Sequence, residues 1–172
     1  DYYSKTTYYK MFIAELFRGY DKAIYIDSET VVQGDISELY EIDIKENYVG
    51  ACHEQAMVQV DEYGTYAEQV VGVSRHAFFN AGMIVINCQK FREKKVLDKF
   101  IKLLGEYNFV VTQDEDYLNL ICKDRVFWLD QRWNTEIFGE IPYPIEEAKI
   151  LHYIMTSKPW HYADCRHGDI FW

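Results

Sequence analysis

The sequence predicts one α/β domain built on a largely buried sheet, either mixed or parallel. Short apolar runs of strand length alternate with segments in which apolar residues recur at helical spacing. Apolar residue types make up 49% of the 172 residues, which is enough to bury one core. Because no linker, repeat or low-complexity segment interrupts the chain, residues 1–172 are expected to form a single domain.

Four apolar runs predict the strands of this sheet. The third run is the most uniformly apolar, and a Phe-Asn-Ala-Gly stretch at 79–82 leads into it. The first run is followed directly by Asp-Ser-Glu at 27–29. The predicted strands cover residues 23–26, 48–52, 83–87 and 150–153.

Two longer segments have the apolar spacing of helices. Residues 9–20 carry such a pattern, with Thr6 or Thr7 as the N-cap and Gly19 near the end. Residues 90–104 predict an amphipathic helix.

Two further helices are indicated by capping-box spacings. Asp35 with Glu38 predicts a helical turn through residue 40, and Thr112 with Glu115 predicts a helix through residue 122. Residues 53–78 are expected to form a long loop or a loose helix, and the tail after residue 159 is expected to be irregular.

The charge balance excludes one class of partner. The chain has 18 Lys and Arg against 28 Asp and Glu, a formal net charge of −10, whereas a nucleic-acid surface needs an excess of cations. An acidic chain can still bind a phosphate-bearing ligand if a divalent metal supplies the positive charge.

The compartment is predicted from three absences in the sequence. No run approaches the roughly 20 apolar residues of a membrane span, and the first ten residues do not resemble a signal peptide. No cysteine pair forms a C-x-x-C motif, and three cysteines lie in apolar runs, as is typical of buried thiols in a reducing compartment. We therefore expect a cytoplasmic chain; the cysteines are Cys52, Cys88, Cys122 and Cys165.

Acidic residues at a strand end form the first candidate site. Asp27 and Glu29 can reach one hard cation from the carboxyl end of a buried strand, where ligands of α/β sheets bind. His152, at the end of the last strand, can complete such a site for Mn²⁺ or Mg²⁺. A solvated strand end and a hydrogen-bonded core histidine are the alternatives. A second group matches no zinc spacing: His161, Cys165, His167 and Asp169.

A second set of residues could contact a ligand. Asn80, Ala81 and Gly82 permit close backbone approach to a ligand, although a tight loop-to-strand junction needs the same residues. The acids at 114–116 can hold sugar hydroxyls or simply complement a helix dipole. Lys158 is a candidate phosphate contact. The glycine-rich dinucleotide and P-loop motifs and the nucleophile-elbow motif are absent from the sequence.

Taken in order, these motifs resemble the family-eight retaining glycosyltransferases, which include bacterial lipopolysaccharide glucosyl- and galactosyltransferases and glycogenin. The resemblance runs from about Thr6 to Trp160. It is carried by residues 27–29 (Asp-Ser-Glu), 34–40, 79–87, 114–119 (Asp-Glu-Asp-Tyr-Leu-Asn) and 152–160, which ends in Lys-Pro-Trp.

The resemblance implies a fold like that of nucleotide-diphospho-sugar transferases, a mixed sheet with flanking helices. The family's opening strand–helix–strand segment, which holds uracil and ribose, is expected to be absent before Asp1. The implied donor is a UDP-hexose carrying glucose or galactose, the acceptor a surface glycan or lipopolysaccharide-type glycolipid, and the cofactor Mn²⁺ or Mg²⁺. Peripheral association with the inner face of the membrane, through a region beyond the C-terminus, is compatible with such an acceptor.

The resemblance also implies roles for individual residues. The metal ligands are Asp27, Glu29 and His152, and the nucleotide phosphates are contacted by Lys158, Lys10 and Ser28. The donor sugar is lined by Asn80, Ala81, Gly82, Asp114 and Asp116, and the catalytic residues are Glu115 and Asp116.

Four of these positions depart from the family pattern. Glu29 stands where Asp is typical, Lys10 where Arg is frequent, and Met155 where Gly is usual. Glu115 replaces a usual Gln, and as a carboxylate it could be a nucleophile or a stabiliser of positive charge.

Two other functions remain open at this point. A degenerate, non-catalytic transferase fold could serve as a glycan-binding or scaffold module. A metal-dependent phosphohydrolase would release phosphate instead of UDP from a sugar nucleotide.

Overall fold

The part of the chain that the structure describes, residues 5–172 of a computed structural model, alternates strands with short helices. The strands are β1 (Lys22–Ile26), β2 (Thr30–Val32), β3 (Val49–His53), β4 (Phe79–Asn87), β5 (Val126–Trp128), β6 (Thr135–Glu136) and β7 (Ile150–His152). The α-helices are α1 (Ile13–Leu16), α2 (Ile36–Glu41), α3 (Gln55–Gln59), α4 (Asp61–Tyr66), α5 (Cys88–Glu93), α6 (Val96–Glu106) and α7 (Asp114–Ile121). Segments of 3-10 helix are Lys5–Phe12, Arg75–Ala77, Gln131–Asn134, Ile145–Glu147 and Gly168–Ile170, and Ala67–Val71 is a π-helical turn.

A mixed four-stranded sheet has the strand order β1-β4-β3-β5, which confirms the predicted class. β4 is antiparallel to β1 and β3, while β5 is parallel to β3. The C-terminal ends of β1, β3 and β5 therefore meet the start of β4 at one edge. This edge gathers the polar residues that follow each strand.

A second sheet of three short strands brings the last strand to the same edge. Its order is β2-β7-β6, with β2 antiparallel and β6 parallel to β7. His152, the last residue of β7, lies opposite Thr30 on one side and Glu136 on the other.

Alternate side chains of β4 enter two different cores, so the large sheet is buried on both faces. Ile84 and Ile86 pack with the helical layer that contains Phe100. Met83 and Val85 pack on the opposite face with Leu39, Trp133 and Ile150. All four cysteines are buried with free thiols, as expected for the three in apolar runs.

The segment predicted as one helix over residues 9–20 is 3-10 helix up to Phe12, a single α-helical turn, α1, over Ile13–Leu16, and non-helical after it. The 3-10 segment Lys5–Phe12 contains β-branched and aromatic residues at 6–9, which are weaker α-helix formers. The buried side chain of Lys10 also ties this segment to α7 through Asp114. The helical prediction is therefore correct in location and wrong in type.

Residues 53–78 are more regular than predicted. Glu54 begins α3 by accepting a hydrogen bond from the Ala56 N–H at 2.9 Å. Arg75 holds α4 and the π-helical turn together through Asp61 at 2.7 Å and Glu68 at 3.0 Å. The two Arg75 ion pairs link residues 14 and 7 positions apart in a polar stretch, so the apolar pattern alone predicted no more than a long loop or a loose helix.

The amphipathic segment over residues 90–104 is divided into α5 and α6. Lys95 adopts a left-handed conformation with φ of 52° at the break. Phe91, Val96 and Phe100 are buried as predicted, whereas Ile101 is 54% exposed. Among residues 5–172, no helix has the length and apolar character needed to cross a bilayer.

Candidate active site

Asp27, Glu29 and His152, the predicted metal ligands, are brought together beside Gly82. The Nε2 atom of His152 lies 3.4 Å from Oε1 of Glu29 and 4.0 Å from Oδ2 of Asp27. A methyl group on Gly82 would come within 2.7 Å of Oδ2 of Asp27 and closer still to Cε1 of His152. Glycine at this position therefore makes room for the three side chains. Ser28, between the two acids, is exposed.

Backbone pairing determines where these side chains lie. The N–H of Asp27 donates to the carbonyl of Gly82 at 2.7 Å and continues the β1–β4 pairing. The N–H of Tyr153 donates to the carbonyl of Glu29 at 3.0 Å, immediately after His152. The two sheets thus meet through the acidic segment that the sequence places after β1.

Two buried lysines balance the negative charge of the acids. The ammonium of Lys158 lies 2.6 Å from Oε2 of Glu29, and that of Lys10 lies 3.9 Å from Oδ1 of Asp27. Burial alone would raise the pKa of Glu29, but the Lys158 ammonium beside its carboxylate acts against burial, and the pKa is lowered overall. Glu29 is therefore ionised at neutral pH.

The donor atoms at this edge fit a hard divalent cation. Two carboxylates and an imidazole nitrogen suit Mn²⁺ or Mg²⁺. The Nε2 atom of His152 is buried, and no hydrogen-bond partner for it exists in the described chain. Across residues 5–172, no three His, Cys, Asp or Glu side chains already have the arrangement of a formed metal site. One oxygen of each carboxylate is held by another side chain, Oε2 of Glu29 by Lys158 and Oδ1 of Asp27 by the Tyr25 hydroxyl.

The residues predicted to contact the donor sugar lie at the start of β4. The Ala81 N–H donates to Oε2 of Glu115 at 2.7 Å, and the Ala81 carbonyl accepts from Lys10 at 2.9 Å. Oδ1 of Asn80 accepts from the Gly82 N–H at 2.9 Å. The start of β4, the metal-ligand cluster and α7 therefore form one continuous polar group.

Asp114 and Asp116, at the start of α7, are each held by contacts with at least two other residues. Asp114 accepts from the Thr7 hydroxyl and lies 2.7 Å from the Lys10 ammonium. Asp116 is fully buried and accepts from the Tyr66 hydroxyl at 2.9 Å. The Thr112 N–H and hydroxyl also donate to Asp116, at 3.1 and 2.7 Å.

The capping box predicted between Thr112 and Glu115 is wrong in its partner. Thr112 bonds to Asp116 instead, and the N-cap position is held by Gln113, which has a φ of 50° and makes no side-chain cap. The Glu115 side chain turns inward to the Ala81 N–H. A three-residue spacing does not reveal which of two adjacent acids faces the threonine.

Glu115 lies in an unusual electrostatic environment. Burial raises its pKa well above the ordinary value, and the nearby Glu54 raises it further. Its Oε1 atom is buried, and residues 5–172 offer it no hydrogen-bond partner. Burial also raises the pKa of Asp116, although the three hydrogen bonds that it accepts from Tyr66 and Thr112 oppose this.

The comparison with known families decides which class of protein carries this site. The sequence model described as "Glycosyl transferase family 8" matches residues 1–164, which is nearly the whole chain. The chain belongs to glycosyl transferase family 8. The resemblance predicted from the ordered motifs is thereby confirmed.

Two curated relatives of this chain are longer than it is. A putative glycosyltransferase of Haemophilus influenzae is 32% identical over 99% of the chain and 54% of its own length. The lipopolysaccharide 1,3-galactosyltransferase of Salmonella typhimurium is 28% identical over 90% of the chain and 49% of its own length. The chain thus spans about half the length of these curated relatives.

A solved galactosyltransferase structure has the same fold. The galactosyltransferase LgtC, crystallised with donor and acceptor sugar analogs, superposes with a TM-score of 0.80 at 24% identity, over 98% of this chain and 66% of LgtC. This confirms the predicted transferase-like mixed sheet with flanking helices.

Met155, which departs from the family pattern, has a conformation that glycine prefers. Its φ of 62° lies in the left-handed region, where a side chain is strained. The usual Gly at this position is therefore explained by the backbone of this chain.

Three buried polar residues of the site were not found from the sequence. Glu54 follows β3 as Asp27 follows β1, so the position after a strand end was a usable signal. Asn134, at the end of a 3-10 segment, and Glu136, in the two-residue strand β6, have no such signal in the sequence, and both are buried. Burial and the neighbouring Glu54 raise the pKa of Glu136 well above its ordinary value.

Proposed function

We propose that this chain is the catalytic part of a metal-dependent, retaining hexosyltransferase. It moves glucose or galactose from a UDP-hexose to a surface-glycan or lipopolysaccharide-type acceptor. The observation that carries this proposal is the convergence of Asp27, Glu29 and His152 beside Gly82, with an unpartnered imidazole nitrogen at the centre. The names of the Salmonella relative and of LgtC support a glycan acceptor and a sugar donor.

Asp27, Glu29 and His152 are the residues that would hold Mn²⁺ or Mg²⁺. When bound, the cation supplies Lewis-acid stabilisation of the diphosphate leaving group. Lys158 is the proposed phosphate contact closest to this cluster, since its ammonium lies 2.6 Å from Glu29. Ser28 is exposed between the acids and can donate its hydroxyl to a phosphate oxygen.

Lys10 has a different role from Lys158 in this proposal. It is almost fully buried, pairs with Asp114 at 2.7 Å and donates to the Ala81 carbonyl. These contacts favour a positioning role in which Lys10 fixes α7 against β4, with its positive charge near the phosphates at longer range. Asp114 and Asn80 then present their remaining lone pairs and amide hydrogens towards the sugar.

Glu115 acts as a neutral group, not as a carboxylate nucleophile. Burial and the nearby Glu54 raise its pKa and so favour the protonated form, which resembles the amide that the family usually has there. Its Oε2 atom orients the Ala81 N–H. This favours transfer by attack on the same face of the sugar over a double displacement. Asp116, which is fully buried, is a positioning residue in this scheme.

Calorimetric titration of UDP with and without Mn²⁺ tests this proposal. We expect manganese-dependent binding that His152→Ala abolishes and His161→Ala, at an exposed histidine, leaves unchanged. Ligand at about 100 times its dissociation constant should also raise the free energy of unfolding by about 2.7 kcal/mol.

Two results contradict the proposal. Equal UDP binding with and without Mn²⁺ would remove the metal from the mechanism. Manganese-dependent release of phosphate instead of UDP from a UDP-hexose would identify a phosphohydrolase.

A further inference from the structure

Asn134 links the metal-ligand cluster to the donor-sugar strand through two buried hydrogen bonds. It is fully buried in the 3-10 segment Gln131–Asn134, between the two sheets. Its Oδ1 atom lies 3.0 Å from Nδ1 of His152, and its Nδ2 atom donates to Oδ1 of Asn80 at 2.8 Å. Asn80 in turn donates from Nδ2 to Oε2 of Glu54 at 2.5 Å.

The donor and acceptor of each hydrogen bond between Gly82, Asn80, Asn134 and His152 follow from one backbone group. The N–H of Gly82 can only donate, and it donates to the Asn80 side chain at 2.9 Å, so the atom facing it is the amide oxygen. Asn134 must then turn its NH₂ group towards that same oxygen. Its own oxygen is left facing Nδ1 of His152, and an oxygen there requires Nδ1 to carry the proton.

We propose that Asn134 is a positioning residue that holds His152 as the Nδ1–H tautomer, with the Nε2 lone pair aimed at Asp27 and Glu29. A neutral imidazole carries one proton, so protonation at Nδ1 leaves Nε2 as an acceptor. That atom is buried and unpartnered in the described chain, 3.4 Å from one carboxylate and 4.0 Å from the other. It is the nitrogen that can bind a cation.

Gly82 contacts both the metal-ligand cluster and the residues proposed to contact the donor sugar. Its lack of a side chain admits the imidazole, and its N–H starts the sequence of bonds that sets the imidazole tautomer. The residues proposed to contact the donor sugar therefore also prepare the metal ligand. The tautomer is a property of the metal-free protein, whereas its use for a cation rests on the proposed function.

Nitrogen-15 NMR of histidine-labelled, metal-free protein tests the tautomer directly. Long-range proton–nitrogen correlations distinguish the protonated from the unprotonated ring nitrogen, and the signals of His152 are assigned by their loss in His152→Ala. We expect Nδ1 to be protonated in the wild type. We expect a mixture of tautomers in Asn134→Ala, and also in Asn80→Ala, where the Asn134 amide is free to turn over.

Mn²⁺ affinity measured by electron paramagnetic resonance gives the second readout. Asn134→Ala should weaken Mn²⁺ binding about 10- to 100-fold, as expected for loss of a hydrogen bond that orients a ligand. Asn108→Ala, at an exposed asparagine, is the matched control and should leave both readouts unchanged.

The outcomes separate this inference from the proposed function. A proton on Nε2 in the wild type, or an unchanged Nδ1–H tautomer in both Asn134→Ala and Asn80→Ala, would overturn the inference. The expected tautomers without any Mn²⁺ binding would support the inference and contradict the proposed function.

Discussion

Gly82→Ala is the substitution that most sharply probes the site. The added methyl carbon would lie 2.7 Å from Oδ2 of Asp27 and closer still to Cε1 of His152, distances that real side chains do not tolerate. Both neighbours are anchored, His152 by Asn134 and Asp27 by the Tyr25 hydroxyl at 2.5 Å. The methyl group must therefore displace the imidazole or push β4 away from it.

The expected cost follows from these contacts. Overpacking a filled site costs about 1–3 kcal/mol, which corresponds to a fall in Tm of roughly 2–12 °C for a chain of this length. Gly105→Ala is the matched control, because a methyl group there meets no described heavy atom within 4 Å and the residue lies in α6. That control should stabilise the protein by about 0.5–1 kcal/mol, since alanine is the better helix former.

Thermal unfolding and Mn²⁺ titration measure the two effects together. Gly82→Ala should lower both Tm and Mn²⁺ affinity, whereas Gly105→Ala should raise Tm and leave Mn²⁺ affinity unchanged. A Gly82→Ala protein with the Tm and Mn²⁺ affinity of the wild type would refute the close approach of His152 and Asp27.

Three further predictions concern single residues. Because the pKa of Glu115 is raised in the folded protein, the folded form keeps a proton that the unfolded chain loses above about pH 4.5. The free energy of unfolding should therefore fall as pH rises. Glu115→Gln should flatten this fall in denaturant titrations between pH 4 and 9 and should retain hexose transfer. Met155→Gly should raise the free energy of unfolding by about 1 kcal/mol by relieving a φ of 62°, and an unchanged Tm would contradict this. The lowered pKa of Glu29 stabilises the folded protein above its ordinary pKa of 4.5, and this stability is lost as pH falls through the lower pKa of the folded state. Lys158→Met should shift this acid-induced loss to higher pH. Coincident acid-unfolding curves of the wild type and Lys158→Met would contradict the pairing.

The sheet and its polar edge could be predicted because a short apolar run in the sequence is enough to predict a buried strand. Residues 83–87 are apolar without interruption, and β4 ends at Asn87 as that run predicts. Asp27 follows its strand directly, so its place at the edge needed only the sheet topology. The ordered motifs then indicated the family before any geometry was known.

Contacts between segments that are distant in the sequence could not be predicted. Asn134 meets Asn80 across 54 positions and His152 across 18, and nothing in the irregular stretch around it marks these partners. Glu115 was assigned to a helix cap because Thr112 stands three residues before it, yet its partner is the Ala81 N–H, 34 positions away. Local spacing can predict that a polar residue forms a structural hydrogen bond, but tertiary packing determines its partner.

A Mn²⁺ soak with anomalous diffraction at the manganese edge tests the central claim most directly. The account predicts one anomalous peak in contact with Nε2 of His152 and with carboxylate oxygens of Asp27 and Glu29, at the roughly 2.0–2.3 Å typical of such bonds. A peak at another place on the chain, with these three side chains unmoved, would contradict it.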